Sequence, residues 1–340
     1  MPAHRERESV ESPADSLGNP HRDGGPRAAT MRAVTAAVPI HPPLRARVTL
    51  RLPVDLRLTL GPLWRGPADP SMRLRDGEVW RATRTPLGPA TLHLRHASGG
   101  VDAQAWGPGA AWALEGAPAL AGQLDDETGF RPAGGLVATL RHRLPGLRLP
   151  RTGKVLDPLV ATVVEQRVSG KEARGGHAAL FRALGEPAPG PGGLLLPPSP
   201  ATLAGTPSWD YHRLGIERQR ADTIRRVARA AGRLEEAVGM PGEKARERLR
   251  AVPGVGVWTA NSVALNALGD ADAVPIGDWN IPHTVSFVLT GEPRGSDERM
   301  LELLDPFPGH RGRVLRLLLA AGVRAPRFAP RRPVRDFRAM

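Results

Sequence analysis

A Pro-Gly-Val-Gly turn at residues 253–256, set between two helical segments, constrains this chain more than any other feature. The segment Leu249-Arg250-Ala251-Val252 closes one helix and Val257-Trp258-Thr259-Ala260 opens the next. Glycines at 254 and 256 allow dihedrals and a close approach that a side chain would block. A helix starting at such a turn points its positive end and its unpaired N–H groups at one spot. That geometry grips a phosphate without reading sequence. The candidates for this contact are Gly254, Val255 and Gly256, with Thr259 in the first turn of the second helix. The carbonyls of Arg250, Val252 and Val255 are expected to be free for a monovalent cation, Na+ or K+, and no other cofactor is expected. A turn that merely joins two helices is the alternative.

Charge points the same way. The 340 residues hold 47 Lys and Arg against 34 Asp and Glu, a net charge of +13 and a pI near 11.4. This favours a polyanionic partner, although an arginine-rich proteome would give the same balance. Cysteine is absent, which excludes disulfides, thiolate zinc sites and cysteine-ligated iron–sulfur clusters. There is neither an 18-residue apolar run nor a basic segment followed by an apolar one at the N-terminus, so no membrane partner and a cytoplasmic, nucleoid-associated location are expected.

Residues 1–44 mix Pro, Gly, Ser, Arg and Glu without apolar period and read as a disordered tail. From Val48 the pattern changes. Val48, Leu50 and Leu52, then Leu56, Leu58 and Leu60, then Thr91 to Arg95, alternate with a period of two and predict strands. Asp76-Gly77, Leu87-Gly88-Pro89 and Ser98-Gly99-Gly100 supply turns at hairpin spacing. Residues 46–145 are thus expected to form an antiparallel sheet with a helix or two, one of them near Ala117 to Leu124.

The second half is helical. Asp157-Pro158 looks like an N-cap followed by proline, and Ser169-Gly170-Lys171-Glu172 like a capping box. Residues 186–200 read as a linker. Helices are expected over 217–232, 243–251, 257–268, 282–289, 298–304 and 311–321. The arginine-rich stretch 323–340 reads as a basic tail able to touch phosphate.

Taken together, Pro253–Gly256, the run Trp258-Thr259-Ala260-Asn261, the aspartate of Gly277-Asp278-Trp279 and the segment Val164-Glu165-Gln166-Arg167 resemble the helix-hairpin-helix DNA glycosylases. The likeness is to their alkylpurine branch, 3-methyladenine DNA glycosylase II, and covers about residues 155–322. It implies an α+β fold, with an N-terminal antiparallel sheet and helices ahead of an all-α helix-hairpin-helix domain. The family's catalytic aspartate maps on Asp278, and its DNA-facing glutamine helix on Gln166 and Arg167, the latter at the position of the gap-filling wedge. The resemblance departs at Arg167, where an apolar or amide side chain is common, and at Ser262, where an aromatic is common.

Chemistry supports the aspartate independently. Breaking an N-glycosidic bond leaves positive charge on the sugar, and a nearby carboxylate stabilises it and orients the attacking water. A surface aspartate capping the helix that follows is the other reading of Asp278. Glycosylases that also nick the strand carry a lysine at position 258, whereas Trp258 has no amine with which to attack the sugar. A monofunctional hydrolase is therefore expected.

The extruded base needs a stacking pocket, for which Trp258, Trp279, Trp209 and Tyr211 are the candidates, an indole face being attractive to a cationic alkylated purine. Arg311 is a candidate phosphate contact. The expected partner is double-stranded DNA containing a damaged base, bound by a monomer. Two further readings fit the same motifs: a glycosylase for an oxidised, deaminated or mismatched base, and a non-catalytic helix-hairpin-helix DNA-binding protein.

Overall fold

The computed structural model describes residues 42–326. Most of the expected N-terminal tail, and Arg327 to Arg338 of the basic C-terminal stretch, lie outside the described residues.

The N-terminal part is a five-stranded antiparallel sheet in the order β1-β5-β4-β3-β2. Its strands are β1 Leu44–Thr49, β2 Met72–Arg75, β3 Glu78–Thr85, β4 Gly88–Ala97 and β5 Gly100–Trp106. The register sets Leu92 against Ala105 and Leu94 against Ala103. One face therefore buries Val101, Ala103, Ala105, Leu92 and Leu94, the period-two pattern of a half-buried sheet. Helices α1 Leu56–Leu60, α2 Ala110–Glu115 and α3 Ala117–Leu120 cover that face. On the other face Trp80 stacks on His93 at 4.0 Å and on Trp106 at 5.4 Å. A small hairpin of β6 Glu186–Pro187 and β7 Leu195–Leu196 packs against Trp80.

The remaining elements are helices: α4 Gly135–Arg143, α5 Leu156–Val164, α6 Gly170–Leu184, α7 Pro200–Gly205, α8 Ser208–Arg213, α9 Arg218–Arg229, α10 Ala231–Glu235, α11 Gly242–Arg250, α12 Val257–Ala267, α13 Ile281–Thr290, α14 Asp297–Leu304 and α15 Arg311–Ala320. One core forms around α5, α9 and the first turns of α12; another joins α4 to α12, α13, α14 and α15.

Three sequence expectations need correction. Leu56, Leu58 and Leu60 lie in a helix, because the Asp55 carboxylate accepts the N–H groups of Arg57 at 2.8 Å and Leu58 at 2.9 Å. That cap overrides the apparent alternation, and Leu56, Thr59 and Leu60 become the buried helical face. The helix expected to be capped by Asp157 and to begin at Pro158 begins two residues earlier, at Leu156. Glu235, distant in sequence, caps it by accepting from Val155 N at 2.8 Å and Leu156 N at 3.2 Å. Finally, the stretch read as a linker carries the β6–β7 hairpin.

Helix α15 is tied to both the sheet side and the loop before α4. Arg313 and Asp125, each 1% exposed, form a bidentate pair with both contacts at 2.7 Å. Arg316 Nη2 donates to Leu58 O of α1 at 2.7 Å. Removing Asp125 leaves Arg313 its contact to Glu127 at 3.3 Å and to Asp126 O at 2.7 Å, so the loss falls at the lower end of the about 3 to 5 kcal/mol that breaking a buried pair costs. Asp125→Ala is therefore expected to lower the unfolding free energy by about that amount in urea titrations, whereas Asp102→Ala, whose carboxylate pairs with the exposed Arg47 and Arg95, is expected to change it by less than about 1 kcal/mol.

Candidate active site: a hairpin turn, a capped carboxylate and a two-walled cleft

The hairpin forms where expected. α11 ends at Arg250, α12 begins at Val257, and between them Gly254 takes φ +96°. A Cβ at Gly254 would come within 2.2 Å of Thr223 Oγ1 on α9, so the turn needs glycine there on two counts. Its outer contacts hold it in place. Arg226 Nε donates to Pro253 O at 2.9 Å, and Gln166 Nε2 donates to Gly254 O at 3.0 Å and to Thr259 Oγ1 at 2.9 Å.

The phosphate-grip residues divide. Gly254 and Gly256 are exposed, and among the described residues their N–H groups make no backbone hydrogen bond. The start of α12 also has no side-chain cap. Val255, by contrast, is buried and its N–H is spent on Val252 O at 3.0 Å. Thr259 is likewise buried, with its hydroxyl oxygen taken by Gln166. These two side chains hold the turn together from inside and do not face a ligand. The Val252 carbonyl, expected to be free for a cation, accepts the Val255 N–H. No group of three or more His, Asp or Glu side chains among the described residues could hold a metal ion.

Asp278 sits in the loop before α13, after Gly277, which takes φ +89°. Its two oxygens have different partners. Oδ1 accepts the N–H groups of Asn280 at 2.8 Å and Ile281 at 2.9 Å, and Oδ2 accepts Trp258 Nε1 at 2.9 Å. The capping reading of Asp278 is thus present in the structure together with its placement beside the hairpin. Three N–H donors thus hold the two oxygens in place.

Asp278 and Trp258 line a cleft of about 480 Å³, a size typical of small-molecule sites. One wall comes from α12, α13 and α15, including Ser262, Asn266, Ile281 and Arg316. The opposite wall is the stretch Arg57 to Arg65, with Trp64. Arg65 Nε lies 3.2 Å from Glu165 Oε1 at the end of α5, a third element that lines the cleft. Arg316 donates to Asn266 Oδ1 at 2.9 Å; burial pushes its guanidinium down to about 10, so it remains charged at neutral pH.

Of the expected aromatic pocket, the structure brings only Trp258 to the cleft. Tyr211 is fully buried in the helical core and donates its hydroxyl to Leu203 O at 2.8 Å. Trp279 is 84% exposed and Trp209 65% exposed, and neither lines the cleft. Arg311 is engaged by Asp272, with contacts of 2.8 and 2.5 Å. This pair occupies the guanidinium that was expected to meet a phosphate. Arg167 has φ +57°, a positive value shared by no other non-glycine among the described residues. It marks a sharp, strained turn directly after Gln166.

The sequence reading missed Trp64, Arg65, Glu165, Asn266 and Arg316. Asn266 had a signal: Trp258, Ser262 and Asn266 recur every four residues and so share one helix face. The stretch around Trp64 carried no periodic signal, and only the tertiary fold reveals it as a wall.

The fold is that of the helix-hairpin-helix DNA glycosylases. It superposes on a 3-methyladenine DNA glycosylase from Archaeoglobus fulgidus with a TM-score of 0.66 and 19% identity, covering 81% of this chain and 97% of that one. With the 8-oxoguanine glycosylase/lyase of Clostridium acetobutylicum the TM-score is 0.61 at 13% identity, covering 79% and 91%. In sequence the chain is similar to the alkylpurine branch. It is 31% identical over 167 residues to DNA-3-methyladenine glycosylase 2 of Escherichia coli, covering 48% of this chain and 59% of that protein. It is 35% identical over 141 residues to a probable bifunctional transcriptional activator/DNA repair enzyme AlkA of Mycobacterium tuberculosis, covering 41% and 28%. The chain therefore spans between about a quarter and three fifths of the length of these curated relatives. No family model matches it.

The double role of Asp278 separates two substitutions. Asp278→Asn keeps a side-chain oxygen for the Asn280 and Ile281 amides but sets its NH₂ against the Trp258 indole N–H and is expected to cost about 1 kcal/mol, whereas Asp278→Ala loses the cap as well and is expected to cost about 2 kcal/mol, as read by thermal unfolding.

Proposed function

We propose that this protein is a monofunctional DNA glycosylase that removes alkylated bases from double-stranded DNA by hydrolysis of the N-glycosidic bond, acting as a monomer in base excision repair. The observation that carries this reading is the position of Asp278. Its carboxylate lines a base-sized cleft and is hydrogen-bonded to Trp258 of the hairpin's second helix. An extruded nucleotide with its base in the cleft would bring its deoxyribose to this carboxylate, while the exposed amides of Gly254 and Gly256 hold a neighbouring phosphate.

In the reaction the bond between the base nitrogen and C1′ breaks, and the base leaves with the electron pair. The positive charge that develops on the sugar is met by the Asp278 carboxylate. Water then bonds to C1′ and gives up a proton to solvent, leaving an abasic site. Because its oxygens are fixed by the α13 amides and the Trp258 indole, the carboxylate needs little reorganisation as charge develops. Trp258 presents no amine for Schiff-base formation, which supports hydrolysis without strand cleavage.

The test uses methylated duplex DNA. The intact protein is expected to produce abasic sites that break only on heating, and Asp278→Asn is expected to lower base release by at least about a thousandfold, the scale seen when a group aimed at transition-state charge is removed. Its affinity for a duplex containing an abasic analogue is expected to stay within about threefold, because the anchoring amides are untouched. Strand breaks without heat, or joint loss of release and affinity, would overturn the reading. In the same binding assay Gly254→Val, which drives a side chain against Thr223, is expected to weaken DNA binding by roughly tenfold or more, the loss of one or more charge-assisted backbone contacts.

A further inference from the structure

One arginine meets the hairpin's exposed turn from behind. Among the described residues the Gly254 N–H makes no hydrogen bond to backbone, while the carbonyl of the same peptide unit, Pro253 O, accepts from Arg226 Nε at 2.9 Å. A trans peptide points its C=O and its N–H in opposite directions within one plane. The guanidinium therefore sits on the far side of the amide that is left for a ligand. Peptide O and N are roughly 2.3 Å apart, which brings Arg226 Nε within roughly 5 Å of Gly254 N. A phosphate oxygen accepting from that N–H at roughly 2.9 Å would stand roughly 8 Å from Arg226 Nε, inside the Debye length of about 10 Å at about 0.1 M salt.

The charge of Arg226 is not spent on a carboxylate. Asp222 stands four residues before it on α9, at the spacing that lets helix side chains meet. That carboxylate pairs instead with Arg218 at 3.7 Å and Arg225 at 3.6 Å. Arg226 Nη2 donates to Thr223 Oγ1 at 3.3 Å, and the Thr223 hydroxyl donates onward to Gln219 O at 2.9 Å. Thr223 is also the side chain that a Cβ at Gly254 would strike. Both partners of the guanidinium, a carbonyl and a hydroxyl, are neutral, and both belong to the packing of α9 against the turn.

We infer that Arg226 is a positioning residue for the DNA strand, acting through the peptide that joins Pro253 to Gly254: it orients the Gly254 N–H and adds an unpaired positive charge behind the phosphate held there. This rests on the glycosylase reading and names a further part of its strand grip. Guanidinium, carbonyl, amide and phosphate form a chain in which each hydrogen bond polarises the next. The contribution is independent of DNA sequence, because it reaches a phosphate and no base edge.

The test measures binding of the full-length protein to duplex DNA containing an abasic analogue, by fluorescence anisotropy, at about 0.05 M and about 0.2 M KCl. Glutamine carries Nε2 the same number of bonds from the backbone as arginine carries Nε, so Arg226→Gln keeps a donor for Pro253 O and drops the charge. It is expected to weaken binding by about threefold at the lower salt and by less than about twofold at the higher. Arg226→Met, with a stem of equal length and no donor, is expected to weaken it by about tenfold at the lower salt. Arg226→Lys restores the charge and is expected to bind within about twofold of wild type. Thermal unfolding checks that the variants are folded, and the comparison of Lys with Gln reads the charge even if both loosen the turn. Wild-type affinity in Arg226→Gln, a loss there that salt does not diminish, equal losses in Gln and Met, or Lys no better than Gln each overturns the inference and leaves the hairpin grip standing. If the wild-type protein binds no duplex, the strand grip of the glycosylase reading fails, and the inference fails with it.

Discussion

The hydrogen bond from the Trp258 indole to Asp278 joins the two halves of the site. Trp258 belongs to the first turn of α12, whose position is set by the hairpin, and Asp278 belongs to the loop that starts α13. The carboxylate thereby links the hairpin turn to the cleft. Its other oxygen is held by backbone amides that would otherwise be unpaired at a helix start. Capping and the proposed charge stabilisation use the same property, negative charge fixed near a positive helix end. There is no need to choose between them.

The hairpin is similarly overdetermined. Thr223 leaves no room for a side chain at Gly254, Arg226 grips the Pro253 carbonyl, and Gln166 bridges to Gly254 and Thr259. Gln166 immediately precedes Arg167, the residue in a left-handed backbone conformation. One side chain therefore fixes the distance between the hairpin and the α5–α6 turn.

How much of this could be read in advance depended on the range of the interaction. Hairpin, capping box and late helices were legible because each is a local pattern: glycine and proline punctuation, Ser169 with Glu172, apolar residues every three or four positions. The resemblance located Asp278 and Gln166 by motif order. The stacking pocket was not legible. Tyr211 and Trp279 stand in similar polar-aromatic contexts, yet one is buried in the core and the other projects to solvent. Burial is decided by tertiary packing, which a short motif does not encode. Leu56 to Leu60 misled for a related reason, since an alternating run of three leucines also satisfies a single helical turn once Asp55 caps it. The wall around Trp64 and Arg65 is some two hundred residues from Asp278 in sequence, and no periodicity connects them.

That second wall has an evolutionary consequence. The proposed bond-breaking group and the proposed strand grip both lie within the stretch from Pro253 to Ile281, while one wall of the cleft comes from a separate stretch before the second strand. Substitutions at 57–65 can reshape the chamber without disturbing the carboxylate's cap or the hairpin's anchors. A lineage carrying this architecture can therefore vary what the cleft admits while the carboxylate and the hairpin stay under separate constraint.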